Sequence, residues 1–267
     1  YNPLGKDDKL SPNDISKITG NFLTNYIIGP SHDIKIKNVI EENYVYITEL
    51  EVDGKEVTAF LSKDGKYFFP QGLNIYTIEQ TSKFSKRVNL SYRPSAPVLG
   101  NEKALVTVVE FSDYQCSFCG KFARHDFNKI KSNYIDTGKV RYIHLHYPLE
   151  RIHPLALQAS IASECANMQG KFWEYHEKLF MNQNKLSKAD LRQYASELSL
   201  DMENFNSCLD SEKTLSLVKQ DITSAHDAGV EGTPTFFVNN RQMDGAQPYE
   251  VFAQLIEDEI ANVLKSS

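Results

Sequence analysis

The chain has 267 residues, 41% of them hydrophobic, and 29 Lys and Arg against 35 Asp and Glu give a net charge of −6. That length exceeds what one compact domain usually needs, and the apolar content suffices for a core in each of two. With no basic cluster, nucleic acid and anionic membrane surfaces are excluded as expected partners, and no apolar run approaches the length of a transmembrane helix.

The chain opens on Tyr1-Asn2-Pro3-Leu4-Gly5 without a methionine, which fits a precursor trimmed of an export signal or a lipid anchor. Residues 1–14 are polar and read as a partly ordered leader. Ile15, Ile18, Phe22, Leu23, Tyr26 and Ile27 have helical spacing, with Asn13 or Asp14 as N-cap and Gly29-Pro30 as the stop. Tyr44 to Val52 alternates with period two, Asp53-Gly54 is a hairpin turn, and Val57 to Leu61 is the return strand. A second turn at Asp64-Gly65 leads to Tyr67-Phe68-Phe69. Residues 1–80 therefore read as a small α+β domain poor in catalytic residue types. Residues 81–97, polar and carrying Pro94 and Pro97, read as a linker.

A second domain, 98–267, shows strands separated by helices, which indicates an α/β fold with a mixed sheet. Its expected elements are strand 105–111, helix 117–132, strand 139–147, a helical insertion over about 153–228, strand 235–239, a short strand near 241–244 and helix 248–264. Leu155, Leu157, Ile161, Phe172, Trp173, Leu179 and Phe180 repeat at helical spacing and read as core.

Cys116-Ser117-Phe118-Cys119 sits at the strand-to-helix junction. Two cysteines two residues apart can exchange a dithiol for a disulfide, and the same spacing also serves zinc sites. At a helix N-terminus, free N–H groups and the positive end of the dipole favour a thiolate at Cys116. Gly232-Thr233-Pro234-Thr235 feeds the apolar run that follows. An X–Pro bond has a low cis penalty, so Pro234 either fixes a cis turn beside the cysteines or merely starts an edge strand. Glu110, on the strand beneath the motif, is either a buried proton acceptor for Cys119 or an exposed strand-end residue. Phe111, Tyr114 and Phe118, with Thr233, form an apolar platform for unfolded polypeptide or pack in the core, and Phe118 is expected to face substrate.

Cys165 and Cys208 are either a disulfide stapling two helices or two separate buried thiols, since sequence cannot fix connectivity. His144 and His146 share a strand face and read as half-buried, hydrogen-bonded rings, because nothing brings them to the thiols as zinc ligands. His125 lies about two helical turns from the sulfurs, too far to activate them. His153 and His176 have no partner suggested by spacing.

The stretches Val109 to Cys119, Gly170 to His176 and Gly229 to Thr235 resemble the DsbA-type branch of the thioredoxin superfamily, over roughly residues 95–265. The resemblance implies a thioredoxin fold split by a helical insertion, Cys116 attacking, Cys119 resolving, and a cis Thr233–Pro234 bond. It places a buried acid at Glu110 and favours the Cys165–Cys208 pairing. The Ser-Phe pair between the cysteines departs from the Pro-His of the best-known oxidases. The hairpin Phe60 to Gly72 is similar to the dimerisation module of the DsbC and DsbG isomerases, which implies a homodimer; the alternatives are a monomeric cap on the chain's own catalytic domain or a module that docks a different partner.

The expected function is thus an extracytoplasmic, periplasmic-type protein disulfide oxidoreductase. It acts on cysteine-containing exported polypeptides, without a bound cofactor or metal, and a membrane redox partner resets it. The alternatives are a dimeric DsbC-type isomerase or reductase, a redox-inert chaperone-like module, and a metal-binding protein using the cysteine pair.

Overall fold

The computed structural model describes residues 10–27, 32–42, 45–63, 68–69, 84 and 86–266. The chain divides into two compact units, Tyr1–Ile75 and Tyr76–Ser267.

In the first unit, helix α1 spans Pro12–Phe22. Its cap is Ser11 rather than Asn13 or Asp14. The Ser11 hydroxyl accepts the Asp14 N–H at 3.2 Å, and the Asp14 carboxylate accepts the Ser11 N–H at 3.1 Å. This reciprocal box, with Pro12 preset for the first turn, starts the helix inside the expected leader. Strands β1 (Ile34–Glu41), β2 (Val45–Val52), β3 (Lys55–Ser62) and β4 (Phe68–Phe69) form an antiparallel sheet in that order. The β2–β3 turn holds Asp53 and Gly54 at φ 50° and 80°, as a two-residue hairpin of this twist requires. The Asp64-Gly65 turn lies outside the described residues. Ile15 packs with Leu10, Tyr46 and Leu61, and Leu23, in the π-helical turn after α1, with Leu50 and Ala59, so α1 and that turn cover one sheet face.

The second unit contains a five-stranded sheet, ordered β5 (Val98–Gly100), β7 (Val140–His146), β6 (Val106–Ser112), β8 (Thr235–Val238) and β9 (Arg241–Asp244). Only the β6–β7 pair is parallel. β6 lies between β7 and β8 and is almost wholly buried, which carries its C-terminal end and the turn after it into the core. The expected helix 117–132 breaks at Asp126 into α2 (Ser117–His125), α3 (Phe127–Ile130) and a π-turn over Lys131–Ile135. The insertion supplies α4 (Ala156–Asn167), α5 (Phe172–Met181), α6 (Lys188–Glu197), α7 (Met202–Asp210) and α8 (Leu215–Asp227). Helix α9 spans Tyr249–Ser266.

The expected linker is corrected where it is described. Residues 86–97 pack on the second unit: the Val88 N–H donates to Asn240 O at 2.8 Å, and Arg93 is buried. Its partners Glu164 and Asp221 come from the insertion, too distant in sequence to signal the contact. Cys165 on α4 and Cys208 on α7 are bonded, with S–S 2.01 Å.

Candidate active site

β6 delivers its chain end at Ser112, and a turn carries it to Cys116, the N-cap residue of α2. The buried Asp113 organises that turn. Its Oδ1 accepts the Gln115 N–H at 2.7 Å, its Oδ2 accepts the Leu149 N–H at 2.7 Å, and the same oxygen meets His153 Nδ1 at 2.8 Å. Gln183, just past α5, clamps the turn from the insertion side. Its Nε2 donates to Tyr114 O at 2.9 Å and to Cys116 O at 2.8 Å, while its Oε1 accepts from Arg124 at 3.0 Å. A Cβ on Gly120 would come within 1.9 Å of Gln183 Oε1, so the first turn of α2 approaches the clamp at a distance only glycine permits.

Cys116 is 6% exposed and Cys119 fully buried. Both are free thiols. Cys116 Sγ lies 3.3 Å from Thr233 O, to which it donates when protonated. The Thr233–Pro234 bond is cis. The Cys116 thiol is pulled down to about 6, mainly by the hydrogen bond from Cys119, with the backbone N–H groups of Cys119 and Phe118 adding to it against burial. Burial pushes Cys119 well up, and the neighbouring Cys116 and Glu110 charges push the same way. The pair is therefore asymmetric: an outer thiolate and an inner thiol that keeps its proton.

Glu110 is 2% exposed, and its Oε2 accepts the Tyr142 hydroxyl at 2.7 Å. The exposed strand-end alternative is ruled out by that burial. Phe118, 63% exposed, stands out from the start of α2 beside the cysteines. Phe111 and Tyr114 are not part of a platform: both are core, covered by the sheet and the insertion helices. A cavity of about 740 Å³ runs past Gly232, Thr233 and Pro234, with Lys86, Glu231 and Asp244 on its walls.

The histidines differ from expectation as well. His144 and His146 are fully buried rather than half-buried, and His144 has no hydrogen bond on either ring nitrogen. His146 Nε2 lies 3.0 Å from Glu164 Oε1. His153 and His176 do have partners, Asp113 and the Tyr114 hydroxyl. His146, Glu164 and Asp221 approach closely enough to share a cation. The Arg93 guanidinium already fills that role, with Nε donating to Asp221 Oδ1 at 2.8 Å and Nη2 to Glu164. The cluster is an ion-pair network, and neither cysteine belongs to it. Sequence reasoning missed Gln183, Asp113 and this network. Gly120 directly after the CxxC was the one local hint of a close approach.

The thioredoxin family model described as "Thioredoxin" matches residues 93–258, more than half the chain. Among solved structures, BdbD from Bacillus subtilis is 30% identical with a TM-score of 0.58, covering 64% of this chain and 98% of that one. A thioredoxin-like oxidoreductase from Silicibacter pomeroyi is 28% identical with a TM-score of 0.56, covering 66% and 95%. α-DsbA1 from Wolbachia pipientis, 24% identical with a TM-score of 0.59 over 70% and 98%, shares the fold. Among curated proteins, the Na(+)/H(+) antiporter NhaA 3 of Salinispora tropica is 40% identical over 156 residues, 58% of this chain and 23% of the antiporter. NhaA 1 of Salinispora arenicola is 36% identical, over 61% of this chain and 24% of its own length. The chain thus spans about a quarter of the curated relatives it matches. Among the described residues, no helix is long and apolar enough to cross a membrane. A central β6 leading into Cys116 at a helix N-cap, a cis-proline turn against its sulfur, and a helical insertion between β7 and β8 agree with those matches, and the chain belongs to the thioredoxin family.

Proposed function

We propose that this chain is an extracytoplasmic protein thiol–disulfide oxidoreductase, forming or exchanging disulfides in exported, cysteine-containing polypeptides through Cys116 and Cys119. The observation that carries the reading is the asymmetric pair. The Cys116 thiol is lowered to about 6 at a helix N-cap, 3.3 Å from Thr233 O, and the buried Cys119 is held as a thiol.

The chemistry follows from that asymmetry. At neutral pH Cys116 is mostly thiolate and is the group that enters a mixed disulfide with a substrate cysteine. An extended substrate segment lies along the cavity beside Thr233–Pro234, with Phe118 as its apolar contact. Glu110 takes the proton from Cys119, whose sulfur then attacks Cys116 and releases the substrate thiol. In the oxidising direction the steps reverse, and stabilisation of the Cys116 thiolate favours the reduced protein and hence oxidation of substrate. A membrane redox partner re-oxidises the pair. The Cys165–Cys208 disulfide supports an oxidising compartment.

The test is oxidation of a reduced two-cysteine peptide by the oxidised full-length protein. Stoichiometric peptide disulfide, lost in Cys116→Ser, is expected. A protein that leaves the peptide reduced, and whose Cys116 resists alkylation at mildly acid pH, would be a redox-inert binding module.

A second reading, a dimeric disulfide isomerase, draws on the first unit. Ile40, Ile47 and Phe60 align across the sheet face opposite α1, and Ile40 is 37% exposed. That apolar strip offers a surface for a second copy. Reactivation of scrambled ribonuclease by a protein that sediments as a dimer would favour it, and a monomer without that activity would remove it.

A further inference from the structure

His144 is an anomaly in the site. Both its ring nitrogens are buried without a hydrogen-bond partner. A neutral imidazole carries one N–H and one lone pair, and leaving both unpaired inside a protein is costly. Such a group calls for an explanation.

Its placement supplies one. His144 is the direct register partner of Glu110 across the parallel β6–β7 pair. Its Nδ1 lies 3.7 Å from Glu110 Oε2, the oxygen that also accepts from Tyr142. A shift of roughly 1 Å closes that gap to hydrogen-bond length. The titratable groups around it are Glu110 from β6, Tyr142 and His146 from β7, Tyr114 from the active-site turn and His176 from α5, with the His146 and His176 ring centroids 4.9 and 4.7 Å away. Beyond His146 stand Glu164 of α4 and Asp221 of α8, two carboxylates that share the single guanidinium of Arg93, and Asp221 adds a weak pull toward the charged imidazole. Burial, with His146 adding to it, keeps His144 below its ordinary range despite the pull of Glu110, so it is neutral at physiological pH.

We propose that His144 completes the proton acceptor for the resolving cysteine, so that the proton leaving Cys119 is shared between Glu110 Oε2 and His144 Nδ1. This rests on the reading of Glu110 as the base. In the resolving step Cys116 is bonded to a substrate sulfur. Cys119 gives its proton to the Glu110 carboxylate, and its sulfur electron pair forms the Cys116–Cys119 bond. The bond from Cys116 to substrate breaks, and the substrate sulfur leaves with that electron pair and takes a proton from water. The two thiols of the protein are oxidised and the substrate disulfide is reduced. Once protonated, Glu110 donates to the lone pair of His144 Nδ1. With the carboxylate restored, the other tautomer of His144 donates to it. His144 finds a partner in each proton state, and the newly formed acid is not left with an unpaired O–H. His144 touches neither sulfur and acts through Glu110, so it is a positioning residue.

The experiment mixes reduced full-length protein with oxidised glutathione across a pH series, quenches with acid and weighs the products. Formation of the Cys116–glutathione adduct and its conversion to the Cys116–Cys119 disulfide are then timed separately. His144→Phe is expected to slow resolution about tenfold or more and to move its pH profile, with adduct formation unchanged. That unchanged first step also shows an intact fold. Added to Glu110→Gln, His144→Phe is expected to slow resolution no further. Parent-like resolution at every pH in His144→Phe, while Glu110→Gln is slow, overturns the role of His144 alone. Parent-like resolution in Glu110→Gln overturns the Glu110 reading itself, and this inference with it. Should His144→Phe fail to fold, nitrogen NMR of the histidine-labelled parent decides. Titration of the His144 Nδ1 signal at the midpoint of the resolution rate supports the proposal, and a signal that does not move with pH overturns it.

Discussion

The two units carry their charge in opposite ways. On the first, Lys35 and Lys37 reach across the sheet to Glu51 and Glu56, at 3.8 Å for Lys35–Glu51, 3.0 Å for Lys37–Glu51 and 3.1 Å for Lys37–Glu56, with side chains largely in water. In the second, Arg93, Glu164, Asp221 and His146 form a network with almost no exposure. Water screens the first set and holds each charge nearly as well apart as together. The second set has no water to fall back on, so each member depends on the others. The difference shows what buried charge does here: it ties the segment before β5 to α4, α8 and the end of β7, the scaffold that positions the site.

The largest effect is expected from breaking that network. Arg93→Met leaves Glu164 and Asp221 buried without their counter-charge and should lower stability by about 3–5 kcal/mol in urea unfolding. Glu164 sharpens the point with pH. Burial alone would raise its pKa, but His146 and then Arg93 bring it down to about 2 from 4.5. A depressed carboxylate contributes stability above its unfolded value, and that contribution is lost as pH falls toward 2. Arg93→Met should therefore flatten the acid limb of the stability curve as well as lower it. A loss below about 1 kcal/mol would place the network with the surface pairs.

The clamp on the active-site turn is the next contrast, a polar contact that is neutral but tightly packed. Gly120→Ala sets a methyl within 1.9 Å of Gln183 Oε1. Gln183 must swing away and abandon Tyr114 O and Cys116 O. We expect a loss of about 1–3 kcal/mol and slower dithiol oxidation. Gln183→Ala loses the same bonds, and in its background Gly120→Ala should cost little more. Additive losses would mean that the two residues do not meet as described.

Cys116 stands between the two regimes, a charge formed at the rim of the core. Its folded pKa of about 6, against 9.0 for a free thiol, is depressed. The thiolate therefore stabilises the reduced protein fully above the unfolded value, and that stabilisation disappears as pH falls through about 6. At pH 7 it amounts to about 1.4 kcal/mol, the equivalent of one pKa unit. The stability of the reduced parent over Cys116→Ser should grow from near nothing at pH 5 as pH rises. Thiolate absorbance and alkylation should share a midpoint near 6. A midpoint near 9.0 would leave the sulfur with no help from its helix end or from Cys119.

Much of this was legible in the sequence, and the boundary is physical. The strand into Cys116, the following helix, the insertion and the Thr233–Pro234 turn are local patterns, and the structure has elements at those positions. β1 went unseen because a bulge between Ile36 and Asn38 breaks its alternation. Ser11 was passed over as a cap because its partner Asp14 looked like the cap itself. The polar, proline-bearing stretch around Arg93 read as linker because nothing nearby pairs with the arginine. Its partners stand 71 and 128 residues away. Phe111 and Tyr114 read as a platform because an aromatic beside a motif looks alike on paper whether insertion helices cover it or not. For Glu110 the strand position was readable, but the alternation that would settle its side fails on a strand buried on both faces. His144 beside it was invisible as a partner for the same reason, since register across two parallel strands is set by the sheet.

The smallest effect closes the comparison at its other end. Lys37 contacts both Glu51 and Glu56, and its own pKa is raised chiefly by Glu51 and then Glu56. Read by distance alone, Lys37→Ala should cost as much as loss of one arm of Arg93. Read by exposure, it should leave the urea midpoint within error, because each carboxylate it releases is rehydrated and the folded state no longer has to order a long lysine side chain. We expect the second result, at low and at high salt alike. A clear loss that fades as salt is added would show that the first unit's sheet relies on its charge ladder after all, with Glu51, the most shielded carboxylate of that set, as the residue to change next.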